Sequence, residues 1–194
     1  MLNTLSCWLR PATIAIAMVV AFIVCLLPCN GLQADAASKE KIERRVQETL
    51  AVFKKDIPGA TDVLSRAKGL LILPHVYKAG IGIGGEYGEG ALKVGGRTVD
   101  YYNMTSASYG FQLGAQRKSI ILAFMNDDAL KGFRNSQGWE AGVDASIVLV
   151  KVGAEENVSS DTYNKPILGF VIGQKGLMYD LSLEGTKFTK MDKD

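Results

Sequence analysis

The order of apolar and polar positions divides the chain into a short leader and one longer domain. Arg10 is the sole charged residue before Asp35, and residues 12–27 carry no charge at all. Pro28 ends that apolar run, and Ala34-Asp35-Ala36 puts small residues at the two positions a signal peptidase reads. A basic start, an apolar centre and an A-x-A site in that order make a secretory signal. Cleavage after Ala36 is therefore expected, with residues 1–36 as signal peptide and 37–194 as the domain. The run is shorter than the roughly 20 residues a membrane-spanning helix needs, which disfavours a retained anchor. Lipidation at Cys29, after Leu26-Leu27-Pro28, stays open as an alternative.

Past the leader, Ile42, Val46, Leu50 and Phe53 recur at helical spacing. They predict a helix over Ser38 to Lys55, capped by Ser38 and stopped at Pro58-Gly59. A second short helix is expected over Thr61 to Ala67. The period then changes. Gly69 to Pro74 is a compact apolar strand ended by proline, and Gly80 to Val94 reads as a long strand turning at Gly95-Gly96 into Arg97 to Met104. Tyr109 to Gln116 and Ser119 to Met125 read as a further strand pair around Arg117-Lys118. Asp127 to Phe133 is a short helix with acidic residues in its first turn, where the helix dipole favours them. Trp139 to Val152 reads as extended and Glu155 to Asn164 as loop. Pro166 to Ile172, Leu177 to Leu183 and Lys187 to Lys190 close the sheet, with a turn at Lys175-Gly176. The sum is an α+β fold, a mostly antiparallel β sandwich or barrel with an N-terminal amphipathic helix and short flanking helices.

Composition narrows the chemistry. The chain holds 22 basic and 20 acidic residues, a net +2, and no Lys/Arg run exceeds two, so nucleic acid is not an expected partner. All three cysteines, Cys7, Cys25 and Cys29, precede Ala36. A mature chain without them has no disulfide and depends on its core alone. With His75 as the one histidine, Cys-His catalysis and the usual Cys/His zinc sites are excluded, and a Ser-His-Asp triad would have to use His75. No cofactor or metal is expected.

Several motifs carry two readings each. Gly80-Ile81-Gly82-Ile83-Gly84-Gly85 satisfies the dinucleotide fingerprint, but Glu86-Tyr87-Gly88-Glu89-Gly90 after it cannot open a phosphate-binding helix well, so a glycine-rich strand is the better reading. Glu86 with Glu89, and Glu140 with Asp144, are the candidate carboxylate pairs for a hydrolase; solvated strand faces carry such acids equally well. Tyr101, Tyr102, Tyr109, Phe111 and Trp139 either line a pocket or, more ordinarily for a small β domain, form core and cross-strand pairs. His75, after Pro74, reads as a surface or edge residue.

From Arg66 onward the chain resembles the SYLF domain family, a lipid-binding module of eukaryotic actin-patch and phosphoinositide-binding proteins that is also common in bacterial exported proteins. The residues that carry the resemblance are Ala67 to Pro74 with Lys78-Ala79-Gly80; the glycines 82, 84, 85, 88 and 90; Tyr109 to Gln116; Ala129-Leu130 with Phe133; Gly142 to Ser146; and Gly176-Leu177 with Leu183-Glu184-Gly185. The Trp-Ser-x-Pro-type segment common in the family is replaced by Asp100-Tyr101-Tyr102-Asn103-Met104. The resemblance implies a β-rich core, no catalytic residues and association with lipid headgroups.

The expectation is a non-catalytic exported module, periplasmic or secreted, that associates with lipids or the inner face of the cell envelope, its expected partner being an anionic lipid or membrane surface. Its expected headgroup contacts are Lys39, Lys41, Arg44 and Arg45 on the helix, with Lys68 and Lys78 flanking the family-like motif. The alternatives are an envelope protein–protein assembly factor and a carboxylate-dependent hydrolase.

Overall fold

The computed structural model describes residues 38–150, 160–176 and 183–193. The leader, Cys29, residues 155–159 of the expected loop and 177–182 of an expected strand lie outside them. What is described belongs to one compact unit, Ala37–Asp194.

Helix α1 (Lys39–Asp56) and the short α2 (Ala60–Arg66) precede two very long strands, β1 (Gly69–Val94) and β2 (Arg97–Phe124). There follow α3 (Asp127–Asn135), β3 (Trp139–Glu140), β4 (Val148–Val150), α4 (Ser160–Tyr163), β5 (Ile167–Gly176) and β6 (Lys187–Met191). All six strands join one curled mixed sheet, and the fold is α+β as expected. β1 pairs antiparallel along one edge of β2. The other edge of β2 takes β6 at Tyr101–Thr105 and β5 at Gln116–Phe124. β4 alongside β5 is the parallel pair.

The β1–β2 hairpin is far too long to stay flat, and its sequence tells how it curls. Gly95 and Gly96 both hold positive φ, 57° and 78°, as a two-residue turn matched to strand twist requires. Register shifts at Leu73/Val76, Ile81/Ile83 and Leu92/Lys93 add local bends. β1 then doubles back on itself. A Cβ on Gly88 would stand 2.7 Å from Val76 Cγ2, and one on Gly90 would collide with the Ile72 carbonyl. Glycine is needed at both because one half of the strand lies against the other.

The curl makes two cores. Inside it lie Leu71, Leu73, Leu92, Tyr102, Met104, Ile120, Leu122 and Phe124, closed by Phe133 of α3, Trp139 and Phe188. Outside it, α1 covers Ile72, Ala91, Ile121, Ala123, Leu168 and Phe170 with Ile42, Val46 and Phe53. The Phe53 and Phe170 rings meet edge to face at 4.9 Å. Each fully buried side chain of that size contributes about 1.5–3 kcal/mol, so the apolar stripe suffices to hold α1 on the sheet. Ser38 Oγ caps the helix by accepting from Lys41 N at 3.4 Å. α3 has its own cap, Asn126 Oδ1 accepting from Ala129 N at 2.8 Å.

Several boundaries differ from expectation, among them helix α4 within the expected loop over Glu155 to Asn164, and three have a clear local reason. β1 runs through Pro74, because β1 is an edge strand and Pro74 falls at a bulge where no ladder N–H is required. The Pro74 carbonyl instead accepts from Ser119 Oγ at 2.7 Å. Arg117-Lys118 is strand and no turn: Lys118 points inward to a charge partner, so the two expected strands are one. β5 continues through Lys175-Gly176, pairing Gly176 with Gln116. Between Trp139 and Val150 only β3 and β4 are strand, separated by a turn. Gly80–Gly85 lies wholly within β1, so no helix follows the fingerprint.

Candidate functional site

The six basic residues expected at the headgroup site are dispersed. Lys41 and Arg45, four apart on α1, share one side of the helix. Burial lowers the His75 pKa, and Arg45, Arg117 and Lys41 lower it further against an opposing effect of Glu48. Those cations, and Glu48 with them, are therefore near enough to act on the imidazole electrostatically. In the sheet beneath, Tyr77 is the register partner of Arg117, its ring lies 6.1 Å from His75, edge to face, and it is 51% exposed. Lys41, Arg45, Arg117, His75 and Tyr77 thus form one basic and aromatic patch where the N-terminal half of α1 meets the sheet.

Arg117, His75 and Tyr77 were not among the expected site residues. The sequence signal for them is the bulge at Pro74, which resets the alternation and sends 75 and 77 outward with 117 while Val76, Lys78 and Lys118 turn inward. Without the bulge, the phase of this stretch cannot be read.

Arg44 faces Glu48 at 4.0 Å with both side chains exposed, a geometry worth little. Lys39 is half-buried in the first turn of α1. Lys68 is exposed at the opposite end of the helical layer, beside the β1–β2 turn. Lys78 is inside the curl, 1% exposed, with Nζ 3.4 Å from Glu86 Oε1. Lys118 reaches the other oxygen of the same carboxylate at 3.0 Å.

The carboxylate pairs do not assemble an acid/base site. Glu86 faces inward into its two lysines, while Glu89 faces outward, accepting from Tyr87 Oη at 2.7 Å and lying 3.1 Å from Lys193. Residues three apart on a strand take opposite faces. Asp144 Oδ2 accepts from Glu140 N at 2.6 Å and so stabilises the turn after β3. Among the expected aromatics, Tyr102 and Trp139 are core; the side chains of Tyr109 and Phe111 lie outside the described residues. No group of acidic, histidine or cysteine side chains that could hold a metal occurs among the described residues, and no helix among them is long and apolar enough to cross a membrane.

α1 is fixed over the sheet by polar contacts as well as by its stripe. Glu43 lies 3.4 Å from Lys93 Nζ and accepts from Tyr101 Oη at 3.1 Å. Burial alone would raise its pKa, but Thr98, Lys93 and Tyr101 more than offset that and hold it below the ordinary carboxylate value. The patch is thereby built on a helix that cannot easily roll.

No curated protein matches the chain. The family model Ysc84, described as Las17-binding protein actin regulator, matches residues 105–194. The match begins within β2 and takes in Arg117, α3 and β3 to β6, while α1 and β1, which supply Lys41, Arg45, His75 and Tyr77, precede it. Residues 105–194 of this chain are thus similar to the Ysc84, or SYLF, domain family.

Proposed function

We propose that this is a non-catalytic, exported module that associates with anionic lipid at the cell envelope through the patch of Lys41, Arg45, His75, Tyr77 and Arg117. The observation that carries the reading is a half-buried histidine under the electrostatic influence of Lys41, Arg45 and Arg117, stacked edge to face on an exposed tyrosine that pairs in register with Arg117. Each basic residue near an anionic surface contributes about 1 kcal/mol, so three give about 3 kcal/mol, roughly two orders of magnitude in affinity. An exposed tyrosine suits the headgroup region, where an amphipathic ring is at home. The leader supports an extracytoplasmic location, which fractionation of cells producing the full chain tests.

The decisive experiment is co-sedimentation with phosphatidylcholine vesicles containing phosphatidylglycerol, at low and high salt. The triple variant K41E/R45E/R117E is expected to stay in the supernatant. If it pellets like the unaltered protein, the patch is not the membrane-facing surface. The family description, which names binding to another protein, favours a second reading in which the same face takes an acidic protein segment. Under that reading, the unaltered protein ignores the vesicles but is crosslinked to an envelope protein in cells, and the triple variant is not.

A further inference from the structure

A groove lies at the opposite end of the helical layer, between the C-terminal half of α1, α2 and the β1–β2 turn. Its volume is about 440 Å³, within the range of roughly 300–1,000 Å³ that small-ligand sites occupy. Leu50, Leu64 and Leu70, each half-buried, give it an apolar wall, and Lys54, Lys68 and Lys93 line it with no carboxylate among the lining residues. Gly95 and Gly96 complete it, with open space where side chains would otherwise stand.

Lys93 makes this a built site. It is 8% exposed, with Nζ 3.4 Å from Glu43 and 3.0 Å from Thr98 Oγ1. An ammonium has three donors, and these contacts engage two. Lys54 and Lys68 are exposed and stand without a carboxylate beside them in the groove. A cationic lining on an apolar wall matches one kind of small molecule.

We infer that the groove binds an anionic amphiphile, a phosphate or carboxylate carried on a short apolar chain. The head would be held by Lys54, Lys68 and the remaining donor of Lys93, and the chain would lie along Leu50, Leu64 and Leu70. This goes beyond the membrane association proposed above, because the ligand is taken singly from solution and not as part of a bilayer surface.

Titration calorimetry of the purified protein with octyl phosphate below its micelle concentration tests it, with octanol, octyltrimethylammonium and inorganic phosphate as comparisons. Saturable binding of octyl phosphate is expected, with octanol and inorganic phosphate each weaker by about tenfold or more and the cation silent. K54E/K68E should weaken octyl phosphate by about tenfold or more with unchanged circular dichroism, while K41E/R45E/R117E should bind it normally. Equal binding of octanol or of inorganic phosphate overturns the inference, as does loss of binding in the K41E/R45E/R117E variant alone. Absence of saturable binding also overturns it, whether a second copy or a stretch of the chain itself fills the groove. Vesicle sedimentation of K54E/K68E separates the two sites: a variant that still pellets but no longer takes octyl phosphate shows that the amphiphile was drawn from solution.

Discussion

Lys118 Nζ lies 3.0 Å from Glu86 Oε2 in the interior of the curled sheet, where neither side chain is more than 5% exposed. The contact is an ion pair without the alignment of a hydrogen bond, and Lys78 approaches the other oxygen of the same carboxylate. Removing one member of a buried pair leaves a charge without its counterion and costs about 3–5 kcal/mol. Glu86→Gln, which affects two lysines at once, should therefore destabilise by that amount. Lys118→Met should cost less, because Glu86 keeps Lys78 and the apolar replacement needs no solvation. Urea unfolding of the two variants checks the order; a Glu86→Gln protein as stable as the parent would show that the carboxylate is not needed as counterion.

The close approach of the two halves of β1 makes a second prediction. Gly90→Ala places a methyl against the Ile72 carbonyl and within 2.9 Å of Leu73 Cα. These are backbone atoms and cannot swing aside, so the cost should reach or exceed about 3 kcal/mol, the upper part of the usual overpacking range. Gly96→Ala meets no such obstacle, only an unfavourable positive φ of 78°, and should cost about 1 kcal/mol. Thermal unfolding of both should rank Gly90→Ala as clearly the worse.

Much of this architecture was legible in the sequence, and the failures share a cause. The stripe Ile42, Val46, Phe53 marks α1 because a solvated helix must keep its apolar residues on one side. The Gly95-Gly96 turn is marked by a conformation few residues other than glycine adopt. The boundaries that failed, at Pro74, Arg117-Lys118 and Lys175-Gly176, are those where local punctuation was overridden by tertiary context. An inward lysine satisfied by a glutamate 32 positions away in sequence looks like a surface turn until its partner is known. The site suffered from the same gap. Lys41 and Arg45 were legible as cations on a helix face, but Arg117 and Tyr77 join them only through the pairing of β1 with β2. Lys78 was expected at the surface because its inward phase depends on the bulge.

Glu43 ties α1 to the sheet, and its depressed pKa gives the tie a pH dependence. A carboxyl whose folded pKa lies below its unfolded value contributes stability above the unfolded pKa, near 4.5, and loses it as pH falls through the folded pKa. Amide exchange in α1 should therefore quicken in acid before the sheet unfolds. Glu43→Gln should remove that step and quicken exchange already at neutral pH, by about 1 kcal/mol of opening free energy after allowance for the partly exposed carboxylate. Identical acid profiles for the two proteins would separate Glu43 from the tie.

Tyr102 provides the alkaline counterpart. Burial and the nearby charge of Asp100 push its pKa up to about 12, against an opposing effect of Arg134, while the unfolded phenol ionises near 10. The stability contributed by the neutral phenol is present below pH 10 and lost between about 10 and 12. Absorbance at 295 nm should show a late-titrating tyrosine whose ionisation coincides with loss of the near-ultraviolet dichroism. In Tyr102→Phe the late component should shrink and the fold should survive to higher pH. A late component undiminished in that variant would assign it elsewhere, Tyr87 being the alternative with a pKa near 12.

His75 makes the proposed patch responsive to pH. Its pKa is lowered by burial, Arg45 and Arg117, so at neutral pH the ring is uncharged and the patch holds three cations. As pH falls below the unfolded value of 6.5 toward the folded one, the unfolded chain takes the proton more readily, and the free protein loses stability. An anionic surface against Lys41, Arg45 and Arg117 reverses the repulsion that depresses the imidazole, so binding raises its pKa and takes up a proton. Association with phosphatidylglycerol vesicles should accordingly strengthen between pH 7 and 5, and the same vesicles should offset the acid loss of stability. His75→Gln should bind at neutral pH like the parent but lack the acid increment, which sedimentation at matched ionic strength measures directly. A His75→Gln protein that keeps the full increment would place the titrating group outside the patch, and with it the surface that meets the membrane.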